Sequence, residues 1–151
     1  MFREPTPCSA MPGLDRHPSA DLLEAAALAM VGVGFRPQGR GDRGCDCLGL
    51  VLHVAAAAGI HVELAPQPLR GMRPKDARIL LEGLGLVEVA PEHAGVGDVL
   101  MQVPATLQLH LAVRVRAGLV EAHAGLRRVV VRPTAGDETW DSAWRLPVGD
   151  F

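Results

Sequence analysis

The sequence predicts an α+β fold, and three observations carry that reading. Apolar residues fall at helical spacing through the first half of the chain, and from Leu86 onward the pattern changes to period two. Helices first and an antiparallel meander second is the order of an α+β domain. The 151 residues suit one compact domain, and a hydrophobic fraction of 48% with only 3% aromatic makes a core of Leu, Val and Ala.

Residues 1–19 hold Pro5, Pro7, Pro12 and Pro18 with no hydrophobic period, and are expected to form an N-terminal arm ahead of a domain spanning 20–151. Ser19 reads as an N-cap with Asp21 in the first turn of a helix running to about Val31, stopped by Gly32 and Gly34. The next stretch, FRPQGRGDRG, is too polar and turn-prone for regular structure. In CDCLGLVLHVAAAAG, Asp46 can cap a helix whose Leu50, Val51, Val54 and Ala58 share one face, and Gly59 supplies the stop. So apolar a helix belongs in the middle of a domain. Pro74 opens a third, shorter helix through about Leu84. Strands are expected over 86–90, 98–103, 109–116, 119–124, 129–132 and 144–146.

Composition narrows the function classes. The net charge of -2 argues against the broad basic face that nucleic-acid binding needs, and no polybasic run or apolar span points to a membrane. The start, MFREPTPCSAMPG, lacks the basic and apolar regions of a secretory signal, so the expectation is a protein made in the cytosol with no export route of its own. Three cysteines, two of them one residue apart, do not read as a disulfide framework, and Cys45 and Cys47 are poorly spaced to bridge each other.

One thiol is placed for chemistry. A cysteine becomes a strong nucleophile only when ionised, and the first turn of a helix favours the thiolate through unpaired N–H groups and the helix dipole. Cys47 directly follows the cap Asp46, whereas Cys45 precedes it and Cys8 lies in the arm. A candidate base comes from the segment HLAVRVRAGLVEAHAG, where Leu111, Val113 and Val115 alternate with His110, Ala112 and Arg114. A tight turn at Ala117-Gly118 would set Arg114 opposite Glu121 and bring His123 diagonally across from His110 on one polar face. Cys45, Cys47, His110 and His123 also make a conceivable two-sulfur, two-nitrogen metal site, but C-x-C spacing is unusual for zinc. Catalysis is the better reading, without metal or cofactor.

Taken together, GCDCLGLV at 44–51, GDVL at 97–100, HLAV at 110–113 and EAHAG at 121–125 resemble the NlpC/P60 family of papain-like cysteine peptidases, in the family's order and over most of 21–147. DCLGL and the closing Trp144-Arg145-Leu146-Pro147 are most similar to the phage-type and gene-transfer-agent cell-wall peptidases. The resemblance implies a central helix carrying the nucleophile, packed on an antiparallel sheet. It implies Cys47 as nucleophile, His110 as base and His123 as the residue orienting His110, with the Cys47 N–H facing the oxyanion. The implied substrate is a peptidoglycan stem peptide, commonly at the bond from D-glutamate to a diamino acid. Asp46 is implied as a substrate contact, with helix capping as its competing role. Phe35 stands where many members carry a tyrosine near the oxyanion, and Leu48 replaces the usual serine after the cysteine. The missing signal then suggests an enzyme carried in a phage-like tail, docked to a hub or baseplate protein and delivered to the cell wall. A structural tail component with little activity, and an amidase or acyltransferase on the same fold, are the alternatives.

Overall fold

The computed structural model describes residues 20–41, 43–62, 69–103 and 108–147. The arm expected over 1–19 and the cap at Ser19 lie outside the described residues. Three helices precede the main sheet: α1 (Ala20–Ala29), α2 (Cys47–Ala57) and α3 (Pro74–Gly83). Between α1 and α2, a two-stranded ladder of β1 (Arg40–Gly41) and β2 (Gly44–Cys45) forms in the loop expected to be irregular. Then come β3 (Val87–Val89), a 3₁₀ turn at Pro91–His93, β4 (Val99–Gln102), β5 (His110–Val115), β6 (Gly118–His123), β7 (Arg128–Arg132) and β8 (Ser142–Arg145). The α+β expectation and its central helix on an antiparallel sheet hold. Among the described residues no helix is long and apolar enough to cross a membrane.

The strands form one antiparallel sheet in the order β3-β8-β4-β5-β6-β7. The meander is therefore interrupted, because the last strand inserts between β3 and β4. Trp144 of β8 is fully buried there and Asp98, just before β4, takes Arg145 Nε and Nη2 at 3.0 and 2.8 Å. One face of the sheet carries Met101, Leu111, Val113, Val115, Val120 and Val129 against Leu23 of α1 and Leu48, Val51 and Val54 of α2. The other face carries the smaller Ala94, Leu100, Ala112, Leu119 and Ala143, with Val89 and Trp140 packed alongside.

The β5–β6 register differs from the expected one by two residues. Val115 pairs with Gly118, Arg114 with Leu119 and Ala112 with Glu121, so the turn is Arg116-Ala117 rather than Ala117-Gly118. Gly118 opens β6 and must be glycine there: at φ +139°, a Cβ would lie 2.1 Å from the carbonyl oxygen of Arg132. The turn is also tied to α1, where Glu24 accepts from Arg116 N at 2.7 Å. A shift of two preserves faces, so His110, Glu121 and His123 still share one side of the sheet, but the Arg114–Glu121 pair does not form.

Candidate active site

The loop carrying β1 and β2 folds back onto the start of α2, and Asp46 is the knot. Its carboxylate accepts from Gly49 N (2.8 Å), Gln38 N (2.9 Å) and Arg40 Nη1 (3.0 Å), with the side chain almost wholly buried. The first of these is an N-cap bond, which leaves the N–H groups of Cys47 and Leu48 at the helix start. The approach is so close that a Cβ on Gly49 would lie 2.1 Å from Gly39 O.

Cys47 is the first residue of α2 and 5% exposed. Its thiol donates to Leu109 O at 3.7 Å, the carbonyl just before His110, and among the described residues it makes no hydrogen bond to His110 itself. Burial works against the thiolate that the helix start favours. Burial first, and the neighbouring Asp46 carboxylate second, push the thiol up to about 12, while backbone N–H groups of Leu111, Leu48 and Cys47 pull the other way and lose. Cys45 is likewise buried and pushed up to about 11, by the same two causes.

His110 opens β5 at the end of the sheet. Its Nε2 lies 2.7 Å from Glu121 Oε1, and its ring stacks on Trp140 with centroids 5.7 Å apart and planes at 23°. Glu121 is 2% exposed and its other oxygen accepts from Arg132 Nε. Burial alone would raise the Glu121 carboxyl, but the hydrogen bonds from His110 and Arg132 outweigh it and hold the group at about 2. Arg132 in turn is gripped by Glu138 through Nη1 (3.0 Å) and Nη2 (2.6 Å), and the two carboxylates raise its already high value further. His123 makes a different contact: its Nδ1 accepts from Leu126 N at 3.0 Å and so closes the turn after β6.

A cleft of about 840 Å³ gathers these groups, and its walls include Phe35, Asp46, Cys47, His110 and His123, the five residues singled out from the sequence. Such a volume lies within the range of small-ligand and peptide sites. Glu121, Arg132 and Trp140 also line it, and sequence reasoning gave none of them a role in the site. For Glu121 the signal was present, since alternation put it on the histidine face, but the assumed register paired it with Arg114. Arg132 and Trp140 carry no local signal. The four-residue metal alternative does not assemble: among the described residues no three His, Cys, Asp or Glu side chains converge as ligands.

No protein-family model matches the sequence, and neither does any curated protein. Solved structures do match. An NlpC/P60 family protein from Bacillus cereus superposes with a TM-score of 0.63 at 22% identity, over 87% of this chain and 41% of that one. The chain thus spans under half the length of that protein. The peptidoglycan hydrolase RipB of Mycobacterium tuberculosis gives 0.57 at 21% identity, over 96% and 73%. RipD of the same organism, described as a non-catalytic NlpC/P60 domain protein adapted to peptidoglycan binding, gives 0.55 at 19%, over 86% and 98%. At these identities the likeness establishes the fold, which is that of NlpC/P60 domains.

Proposed function

We propose that the chain belongs to the NlpC/P60 family and is a cysteine peptidase that cleaves peptide bonds in the stem peptides of bacterial peptidoglycan. The observation that carries this reading is one cleft lined both by Cys47, at the first turn of α2, and by His110, whose Nε2 is occupied by a carboxylate. That leaves His110 Nδ1 to take the thiol proton. Sulfur then attacks the scissile carbonyl carbon, and the oxyanion faces the N–H groups at the start of α2. When the C–N bond breaks, His110 returns the proton to the leaving amine, and water hydrolyses the thioester by the reverse route. The likeness to a peptidoglycan hydrolase, RipB, supports the substrate class. Phe35, Leu69 and Leu109 offer the substrate apolar contacts, while Gln38, Arg70 and Gln108 offer polar ones.

Within the family, DCLGL and Trp144-Arg145-Leu146-Pro147 support placement in the phage-type and gene-transfer-agent branch. On that reading the protein rides in a particle tail, docked on a hub or baseplate protein, and reaches the wall from there. Purified particles should then contain the chain in fixed stoichiometry with tail proteins.

A second reading, a domain that binds the wall without cutting it, is favoured by the Cys47 thiol bonding to Leu109 O and, among the described residues, not to His110, and by the existence of RipD. Purified sacculi separate the two. Wild type should release stem fragments and Cys47→Ala should not. Equal release from both refutes the nucleophile, and a folded wild type that sediments with sacculi yet releases nothing establishes the binder.

A further inference from the structure

We propose that Glu121, rather than His123, is the residue that positions His110 for proton transfer, and that Arg132 and Glu138 hold Glu121 in place. The inference rests on His110 being the base of the reaction proposed above.

A carboxylate can only accept, and both Glu121 oxygens are already spoken for: Oε1 by His110 Nε2 and Oε2 by Arg132 Nε. His110 must therefore carry its proton on Nε2, which leaves the Nδ1 lone pair free for the thiol. Arg132 is itself fixed by the paired oxygens of Glu138, at 3.0 and 2.6 Å. Glu138 and Trp140 come from the same segment between β7 and β8. One short stretch therefore fixes the His110 ring twice, through the Glu138–Arg132–Glu121 chain and through the Trp140 stack at 5.7 Å.

His123 cannot take over the task as it stands. Its Nδ1 accepts the Leu126 N–H, and a Cβ on Gly125 would come within 3.0 Å of its Cε1, so the ring is built into the turn. Its proton is left on Nε2, where it is a donor for a substrate carbonyl or carboxylate in the cleft it lines.

Glu121→Gln makes a sharp test because the amide has one sensible orientation. Arg132 offers only donors, so the amide oxygen must face Arg132 and the NH₂ must face His110 Nε2. The ring then has to accept at Nε2 and carry its proton on Nδ1, the wrong tautomer for a base. Nitrogen-15 spectra of the ring, assigned with His110→Gln and recorded at about pH 8.5 to read the neutral form, report the tautomer directly. Wild type and His123→Gln should show His110 protonated on Nε2, and Glu121→Gln should show it protonated on Nδ1. On stem peptides, Glu121→Gln should lose about 10⁴-fold in kcat with little change in KM, by analogy with the wrong-tautomer loss in serine-protease triads. His123→Gln should stay within about tenfold of wild type and act mainly on KM. Wild type protonated on Nδ1, or a tautomer that changes in His123→Gln and not in Glu121→Gln, overturns the assignment. If Glu121→Gln does not fold, the wild-type and His123→Gln spectra decide alone. If wild type cuts no stem peptide, the proposed function fails while the ring spectra still settle this inference.

Discussion

Replacing Asp46 by asparagine changes almost no volume, yet it should destabilise the fold by about 3 kcal/mol. All three partners of Asp46 are donors: Gly49 N at 2.8 Å, Gln38 N at 2.9 Å and Arg40 Nη1 at 3.0 Å. An amide must set its NH₂ against one of them. The least costly choice keeps oxygen on Gly49 and Arg40 and turns nitrogen toward Gln38 N–H. A lost bond to a charged acceptor costs about 1.5–3 kcal/mol, and repulsion between the amide NH₂ and the Gln38 N–H, on an exposed residue, puts the total at the upper end of that range. Arg40 keeps 26% of its side chain in solvent, so the loss of its counter-charge adds little. With a urea slope of about 2 kcal/mol per molar, the midpoint should fall by about 1.5 M, read from tryptophan fluorescence. A second readout moves oppositely. Asp46 is the second cause holding the Cys47 thiol up, so the asparagine variant should alkylate faster at Cys47 at a given pH. Fragment-ion mass spectrometry of the peptide that carries Cys45 and Cys47 locates the label on Cys47. An asparagine variant within about 0.5 kcal/mol of wild type, or one with a slower thiol, would refute the three-donor account.

Other perturbations follow from the same contacts. Gly49→Ala should cost about 3 kcal/mol in thermal or urea unfolding, because its Cβ would meet a backbone oxygen at 2.1 Å; Gly59→Ala, with nothing within 4 Å but φ at +89°, should cost less. Glu121 is held at about 2, below its unfolded value of 4.5, so its contribution is complete above pH 4.5 and is lost as pH falls toward 2. The shift corresponds to about 3 kcal/mol, and acid titration of Glu121→Gln should lack that limb. Cys47 has the opposite sign: its folded value of about 12 exceeds the ordinary 9.0, so stability is full below pH 9 and is lost as pH rises toward 12. Cys47→Ser should unfold with a flatter alkaline limb than wild type, by up to about 4 kcal/mol at its end.

The elements legible in the sequence are those set by local rules. Asp46 before a run with Leu50, Val51 and Val54 on one face gives α2 and its cap, and alternation around Leu111, Val113 and Val115 gives β5. What was not legible depends on neighbours remote in sequence. Nothing local says that β8 enters between β3 and β4, since its pairing with both is a tertiary choice. Gly118 looks like a turn residue until Arg132 O is seen beside it, and that misreading moved the hairpin by two positions. Because the shift was even, every face was still right while the partners were wrong. The same distinction governs the site. Cys47, His110 and His123 could be picked out by residue type and face, whereas Glu121's true partners sit on β7 and on the segment beyond it. The thiol is a second case. The N–H groups at the helix start do lower the thiol, but desolvation, set by tertiary burial, is larger for a side chain 5% exposed.

On the proposed reading, the high value of the Cys47 thiol and the acidic surroundings of His110 belong to one design. Moving the proton from Cys47 to His110 in an empty cleft would leave a thiolate where burial and Asp46 both oppose it. The positive half of that pair forms against a carboxylate, because Glu121 touches the ring and the Glu138–Arg132–Glu121 chain carries one net negative charge. Charge at the sulfur is thus the costly part, and it is avoided if proton transfer and attack on the carbonyl occur together. The developing negative charge then resides on the substrate oxygen, at the N–H groups of the first turn of α2, rather than on sulfur. It follows that slow alkylation of Cys47 at neutral pH does not by itself distinguish an enzyme from a binding domain, since both predict a resting thiol. Only release of stem fragments, and its loss in Cys47→Ala, separates them. An enzyme of this kind should also show a kcat more sensitive to Glu121, which fixes the His110 tautomer, than its thiol alkylation rate is.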